Sequence, residues 1–405
     1  MHASLPHELP AFPATRAEAL ARLHAFLPNA GQAYARHRNL DEGPGARTHV
    51  SGLSPAIRRR LLTEEEVARA AVQAHGLAAA RKFVEELCWR TYFRGHLEQR
   101  PELWRRFLAA ARQAERELDA QPDLARRYEH ALAGRTGIDA FDFWVEELKA
   151  TGYLHNHARM CFASIWIFTL RLPWALGAAL FFRHLLDACP AANTLSWRWV
   201  AGLHTPGKTY RADAAIIRRT SLGRFRVTAP LAARAAPLPP EPPAPCVPLP
   251  RWPEPDPERR TGLFLHTEDL SPETMPWSLR FAVAAATDRI GGDPSALKRR
   301  HAEAGLADAC RRAAEQFGID VERLPEDRLE EAMVDFAGRH GLWQIVTPHA
   351  AVGPVADRLE RIAEALAARG VPLVRVLRAW DRRAWPHATG GFFAFARHIP
   401  ELLAP

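Results

Sequence analysis

"TGYLHNHARMCFASIWIF", residues 151–168, places two histidines, an asparagine and an arginine at the head of an apolar, aromatic run. On a helix, His155 and His157 stand roughly 200° apart around the axis, so they do not chelate one ion. His155 and Arg159 share a face, as do Asn156, Arg159 and Met160. Nearby cysteine or carboxylate ligands at a zinc spacing are lacking, and no metal is expected. Polar groups on a mostly buried helix need partners. The stretch 185–210, "LLDACPAANTLSWRWVAGLHTPGKTY", offers them. Asp187 could pair with Arg159, and the Asn193 amide can donate and accept at a heterocyclic ring edge. Trp197 and Trp199 flank Arg198; for Trp197 alone, core packing is the ordinary reading.

Around this stretch lies a chain of 405 residues, long enough for two or three domains. Hydrophobic residues at 47% and charged residues at 25% call for a packed core rather than wholesale disorder. The formal net charge of +8 favours an anionic partner such as nucleic acid, although arginine-rich usage alone could produce it. Cys88, Cys161, Cys189, Cys246 and Cys310 are scattered and form no C-x-x-C pair. That argues for reduced thiols in a cytoplasmic protein and against a disulfide scaffold. No basic segment followed by an apolar run opens the sequence, so no signal peptide is expected. The most apolar stretch, 161–182, is broken by Arg171, Pro173 and Trp174, so it reads as buried helices rather than a membrane span.

The clearest boundary is the proline-rich run from 230 to 258, which excludes regular helix or sheet and favours an extended, polyproline-like linker. Residues 1–229 before it are patterned almost wholly as helix, with helices expected over 64–80, 79–98, 101–118, 140–150, 155–170 and 174–188. Thr63 before three glutamates is a candidate cap. Beyond the linker, residues 259–405 alternate short apolar runs (262–266, 281–286, 342–347, 371–378) with helical stretches near 295–317, 326–340 and 354–369. That grammar implies a smaller α/β domain with a parallel sheet. No G-x-G-x-x-G follows the first strand, so an ordinary dinucleotide fingerprint is absent there.

Five blocks in the first half carry a resemblance. "SGLSP" (51–55) with "LLTEEEV" (61–67), "FVEELCWRTYFRGHL" (83–97), "GRTGIDAFD" (134–142), "ATGYLHNHARM" (150–160) and "FFRHLLDACPAANTLSWRW" (181–199) follow one another as in the FAD-binding helical domain of the photolyase/cryptochrome family. From about Tyr34 to Phe225 the chain resembles that domain, and the whole resembles a short or circularly permuted bacterial branch of the family.

The resemblance implies a U-shaped FAD between helices. Ser51, Ser54 and the backbone at Leu53 would donate to its pyrophosphate, with Arg90 and Tyr34 on the phosphate side and Phe83 and Cys189 among the contacts. Arg159, partnered by Asp187, would lie beside the isoalloxazine and favour an anionic reduced flavin. Asn193 would face flavin N5. Trp197 and Trp174 match two positions of the family's tryptophan electron-transfer chain; the third falls near Leu118, and Trp104, Trp144 or Trp166 could replace it. On the substrate side, Trp89 and Trp199 match the aromatic clamp for a flipped pyrimidine dimer, Glu86 the acidic contact, and Asn156 and Met160 the cavity lining. Arg58, Arg59 and Arg60 could contact phosphates, the ordinary alternative being a solvated helix end.

Departures accompany the match. Tyr153 replaces a usual tryptophan, His157 a frequent arginine at the DNA face, and Cys189 a frequent second acid. The segment after Trp199 also differs from light-repair enzymes. The α/β segment follows the flavin domain instead of preceding it, which suggests a permuted, shortened antenna-like domain, with a generic α/β accessory domain as the alternative. No residues mark an antenna chromophore. The functional expectation is a blue-light-responsive, FAD-dependent lyase of the deoxyribodipyrimidine photolyase type, acting on damaged DNA, single-stranded DNA included. The alternative is a photosensory flavoprotein with a signalling partner and no repair.

Overall fold

The structure, a computed structural model, describes residues 5, 6, 9, 11–287 and 292–404. The first half is helical: α1 (Arg16–Phe26), α2 (Gln32–His37), α3 (Ser54–Arg58), α4 (Glu64–Glu98), α5 (Glu102–Ala120), α6 (Pro122–Leu132), α7 (Asp139–Thr151), α8 (Asn156–Ser164), α9 (Trp174–His184), α10 (Pro190–Val200) and α11 (Ala214–Thr220). Thr63 closes a capping box on α4, its hydroxyl accepting from the Glu66 N–H while the Glu66 carboxylate accepts from the Thr63 N–H. The two helices expected over 64–98 are one element broken at Gly76, whose φ of 71° suits a residue without Cβ. The helix expected to run to Leu170 is α-helical only to Ser164, then widens into a π turn over Ile165–Thr169.

The second half carries β1 (Thr261–Leu265), β2 (Phe281–Ala286), α12 (Ala296–Phe317), β3 (Val321–Arg323), α13 (Leu329–Arg339), β4 (Gln344–Pro348), α14 (Pro354–Ala367) and β5 (Leu373–Val376). Short α15 (Ala379–Ala384), α16 (Phe392–Phe395) and α17 (Ile399–Leu402) follow. The sheet is parallel throughout, in the order β3-β2-β1-β4-β5. That is a doubly wound order with a switch point between β1 and β4. Every side chain of β1 and β4 is buried, as a sheet covered on both faces requires. No helix among the described residues is long and apolar enough to cross a membrane.

Arg58, Arg59 and Arg60 correct the expectation made for them. They do not form a solvated helix end: all three are buried against the α/β half, where Arg58 and Arg59 line a second cavity with Lys298 and Arg299. Arg58 forms a two-pronged pair with Glu268, at 2.7 and 2.5 Å. Arg60 pairs with Asp381 and with Asp269, and Asp269 is held in turn by Arg378 at 2.6 Å. Arg94 joins from α4, donating to Glu64 and to the Arg58 carbonyl. Arg59 differs: among the described residues its side chain donates to the Thr267 carbonyl at 3.3 Å and to no carboxylate, and burial, reinforced by Arg58, pulls its guanidinium down to about 9.

The proline-rich run lies as a strap without regular elements. Polyproline geometry leaves its backbone free for outside partners. Leu238 N–H donates to the Ala201 carbonyl at 3.1 Å, and Val247 N–H to that of Gln99 at 2.8 Å. Arg106 reaches the Pro242 carbonyl at 2.6 Å, and Arg198 pairs with Glu241 at 3.0 Å. The C-terminal helices leave the sheet and pack on α4. There Trp380 donates to Thr91, Gln99 to the Trp385 carbonyl, and Tyr92 to the Gly390 carbonyl.

Candidate functional site

Helices α3, α4 and α8 and the loops before α3 and α10 enclose an open cleft of about 880 Å³. The turn Ser51–Gly52 that starts it needs Gly52, at φ 65°. Tyr34, Ser51, Ser54, Phe83 and Arg90 line one part, and Arg159 and Asp187 another. Asn156 and Glu86 border the same space, as do Val50, Ile57 and Leu87, which give it an apolar wall.

The sequence pairing of Arg159 with Asp187 is met by two hydrogen bonds, Nη1 to Oδ1 and Nη2 to Oδ2, both 2.9 Å. Ser54 Oγ donates to Asp187 Oδ2 at 2.5 Å. Burial opposes the charged form of Asp187, but Arg159 outweighs it and holds the carboxyl below its ordinary range. Arg90 donates to the Asp187 carbonyl at 3.3 Å. Tyr153 lies beneath two guanidinium groups, with Arg47 at 4.5 Å and Arg159 at 5.1 Å from its centroid. A tyrosine in place of tryptophan thus keeps an aromatic floor for the cation.

Neither histidine of the opening stretch faces a ligand site as a pair. His155 is the N-cap of α8, its Nδ1 accepting from the His157 N–H at 3.2 Å. His157 turns away to Tyr210 at 3.3 Å and Thr220 at 3.2 Å. Burial, then His155, pushes it down to about 4, so it is neutral near pH 7.

Several sequence candidates lie outside the lining of the cleft. Leu53 is buried behind it, and its N–H is taken by Ser51 Oγ at 3.3 Å. Cys189 caps α10, its sulfur accepting from the Ala192 N–H. Asn193 donates to the Ala178 carbonyl at 2.8 Å. Trp197 packs edge-on against Phe181, and Trp174 lies tilted against Phe107. Met160 is half-buried, and Trp199 is 37% exposed beside Tyr210. Trp89 stacks on Phe392, centroids 3.7 Å apart and planes 11° apart. Its partner sits some three hundred residues away in sequence, so nothing near Trp89 signals it.

Arg38 was missed by sequence reasoning. Its Nη1 meets Glu86 Oε1 at 2.6 Å, and only its place one turn after Tyr34 hinted at the cleft. Burial raises the Glu86 carboxyl despite that partner. Hydroxyls and guanidinium groups at one part of the cleft, apolar and aromatic walls, and an Arg–Asp pair at another suit a flat ring system carrying a diphosphate.

Residues 83–222 match the family model described as the FAD binding domain of DNA photolyase. The deoxyribodipyrimidine photo-lyase of Thermus thermophilus is 35% identical over 209 residues, covering 51% of this chain and 48% of that protein. That of Escherichia coli is 28% identical over 205 residues, covering 49% and 42%. The chain spans about half the length of the curated relatives it matches. A Synechocystis cryptochrome structure covers 54% of this chain and 45% of its own, with a TM-score of 0.44 and 22% identity. A class III photolyase structure from Agrobacterium tumefaciens covers 51% and 42%, with a TM-score of 0.40 and 24% identity. Residues 83–222, which carry Arg90, Arg159 and Asp187 into the cleft, are thus similar to the FAD binding domain of DNA photolyase, and FAD is the cofactor of this domain.

Proposed function

We propose that this protein is a photolyase-like enzyme that returns UV-induced pyrimidine dimers in DNA to monomers under blue light. The observation that carries the reading is a shared cleft: Glu86 and Asn156, the candidate substrate contacts, border the same space as Ser54, Arg159 and Asp187. When bound there, FAD supplies blue-light absorption and one-electron donation. Ser51 and Arg90 would hold the diphosphate beside Leu53, Ser54 would border it with its hydroxyl donated to Asp187, and Tyr34 and Phe83 would form a wall. Arg159, fixed by Asp187, would set a positive charge beside the ring system and favour its anionic reduced form. Cys189, at the cap of α10, and Asn193 on that helix would stand behind it; the Asn193 Nδ2 donates one of its two hydrogens to the Ala178 carbonyl, and the amide oxygen would serve as an acceptor.

On the open side, Glu86 is biased by burial toward its protonated form, which donates a hydrogen bond to a flipped base. Asn156 and Met160 line the space beside it. Trp89 and Trp199 present ring faces for stacking, worth about 1–3 kcal/mol per base. The net charge of +8 supports a polyanionic partner. We assign the flavin domain to residues 1–229 and an antenna-like covering domain to 259–405, joined by the strap at 230–258.

A sensor without repair is the second reading, and one observation favours it: both principal substrate contacts are engaged internally, Glu86 by Arg38 and one face of Trp89 by Phe392. The test is absorption spectroscopy of the purified protein, followed by illumination with dimer-containing single- and double-stranded DNA. Bound flavin and loss of dimers support repair. Flavin photoreduction with dimers intact favours the sensor, and absence of flavin removes both readings.

A further inference from the structure

We propose that the cavity beside Arg59 and Lys298 is a binding site for a small phosphate-bearing anion, a phosphate or a phosphate monoester. It shares no lining residue with the flavin cleft.

The cavity measures about 880 Å³ and takes its walls from both halves of the chain. Thr267 and Glu268 come from the loop just after β1, and Pro354 and Val355 from the first turn of α14, which follows β4. The space thus lies outside the carboxyl ends of β1 and β4, where the order of the sheet reverses. That is the crevice in which doubly wound sheets take their ligands. The first turn of α14, a helix of 14 residues, adds backbone N–H groups that the intrahelical ladder leaves over. The helical half closes the other side with Arg59, at the end of α3, and Phe182, on α9.

Charge selects the ligand. Arg59 is 5% exposed and Lys298 6%. Arg59 donates from Nη1 to the Thr267 carbonyl at 3.3 Å, and its Nε has no partner among the described residues. Lys298 donates to the Phe182 carbonyl and holds its Nζ 4.6 Å from the centroid of that ring. Among the described residues neither cation meets a carboxylate: Glu268 is taken by Arg58, Asp293 by the exposed Arg183 at 3.2 Å, and Glu326 pairs with neither. Burial holds the Lys298 ammonium well below the ordinary lysine range, and Arg58 and Arg59 push the same way.

Two like charges therefore share a low-dielectric space, and an anion between them answers both the repulsion and the unmet donors. A phosphate monoester carries about −1.5 to −2 charge near pH 7 and three strong acceptor oxygens, which suits a pair of cations. Phe182, Ala302 and Val355 leave an apolar wall beside them for an organic body. Burial of both cations keeps out the backbone of a duplex, so the ligand is a small molecule.

The test titrates inorganic phosphate and adenosine monophosphate into the flavin-loaded full chain by isothermal calorimetry, beside Arg59→Met and Lys298→Met. Thermal midpoints are read in parallel, in potassium phosphate against potassium chloride of equal ionic strength. Each variant removes a buried cation that no carboxylate answers, so its urea midpoint without phosphate should hold or rise. Phosphate should bind the parent protein, raise its midpoint further than chloride does, and bind each variant about tenfold or more weakly. Adenosine monophosphate binding tighter than phosphate assigns the site to a monoester, and binding no tighter assigns it to the free anion. A parent protein that binds neither overturns the proposal, as does binding that is unchanged in both variants.

Discussion

Arg159 and Asp187 face each other through two parallel hydrogen bonds of 2.9 Å each, and a third donor, Ser54, reaches the same carboxylate. The carboxylate therefore fixes both a cation and a hydroxyl of the cleft. Asp187→Ala should leave Arg159 without its partner and lower stability by about 3 kcal/mol, the low end for breaking a buried pair. Flavin retained through purification should fall with it. Asp187→Asn, which keeps the shape, should lose less of both. Urea unfolding and the flavin-to-protein absorbance ratio measure the two effects.

The arginine run makes a contrast within three residues. Arg60 answers Asp269 and Asp381, so Arg60→Met should cost about 3–5 kcal/mol by stranding buried carboxylates. Arg59 is buried without a carboxylate of its own, and its Nε has no partner. Arg59→Met should therefore be neutral or stabilising. Denaturant midpoints decide; equal losses for the two variants would contradict the pairing.

Stability should fall on acidification in two stages. Burial lowers His157, His204 and His301 to about 4. Their contribution is complete above the ordinary histidine range and is lost as pH falls from about 6.5 toward about 4. Glu268 and Asp269 are held down at about 2, since Arg58 and Arg378 outweigh the effect of burial. Their contribution is lost between the ordinary carboxylate range and about pH 2. Urea midpoints across pH 2–8 should trace both limbs, and Glu268→Gln should flatten the lower one by about 3 kcal/mol.

Gly177→Ala adds one methyl where the Trp166 and Trp197 indoles meet edge to face, with a Cβ falling 2.3 Å from Trp197 Cη2 and 3.0 Å from Trp166 Cε2. Overpacking of this kind should cost about 1–3 kcal/mol, against the small gain in helix propensity. Near-ultraviolet circular dichroism should change through the tryptophan bands, because the Trp197 ring must move. An unchanged spectrum and midpoint would show that the ring contact is looser than the structure has it.

Much of the helical half was legible because its order is local. Thr63 with Glu66, the apolar spacing of α4, and the block from Asp187 to Trp199 all speak within a turn or two of helix. The Arg159–Asp187 pair was legible for a different reason: a buried cation demands an anion, and few were on offer. Local signals failed where partners are distant. Arg58, Arg59 and Arg60 look like a solvated charge run because Glu268, Asp269 and Asp381 lie more than two hundred residues on. Phe392 over Trp89 was hidden in the same way. Strand β3, at three residues, carries too little pattern to register, and α15–α17 are too short to be set by periodicity rather than by their seat on α4.

The arginine seam has a consequence for how the chain can be divided. A cut at the proline strap would seem natural, since it separates a helical half from a sheet-bearing half. The first piece would then expose Arg58 without Glu268 and Arg60 without Asp381, and the second those carboxylates without their guanidinium partners. The first piece would also lose the C-terminal helices that cover α4. The two halves are thus complementary fragments rather than modules, and the chain should unfold in a single cooperative step despite its length.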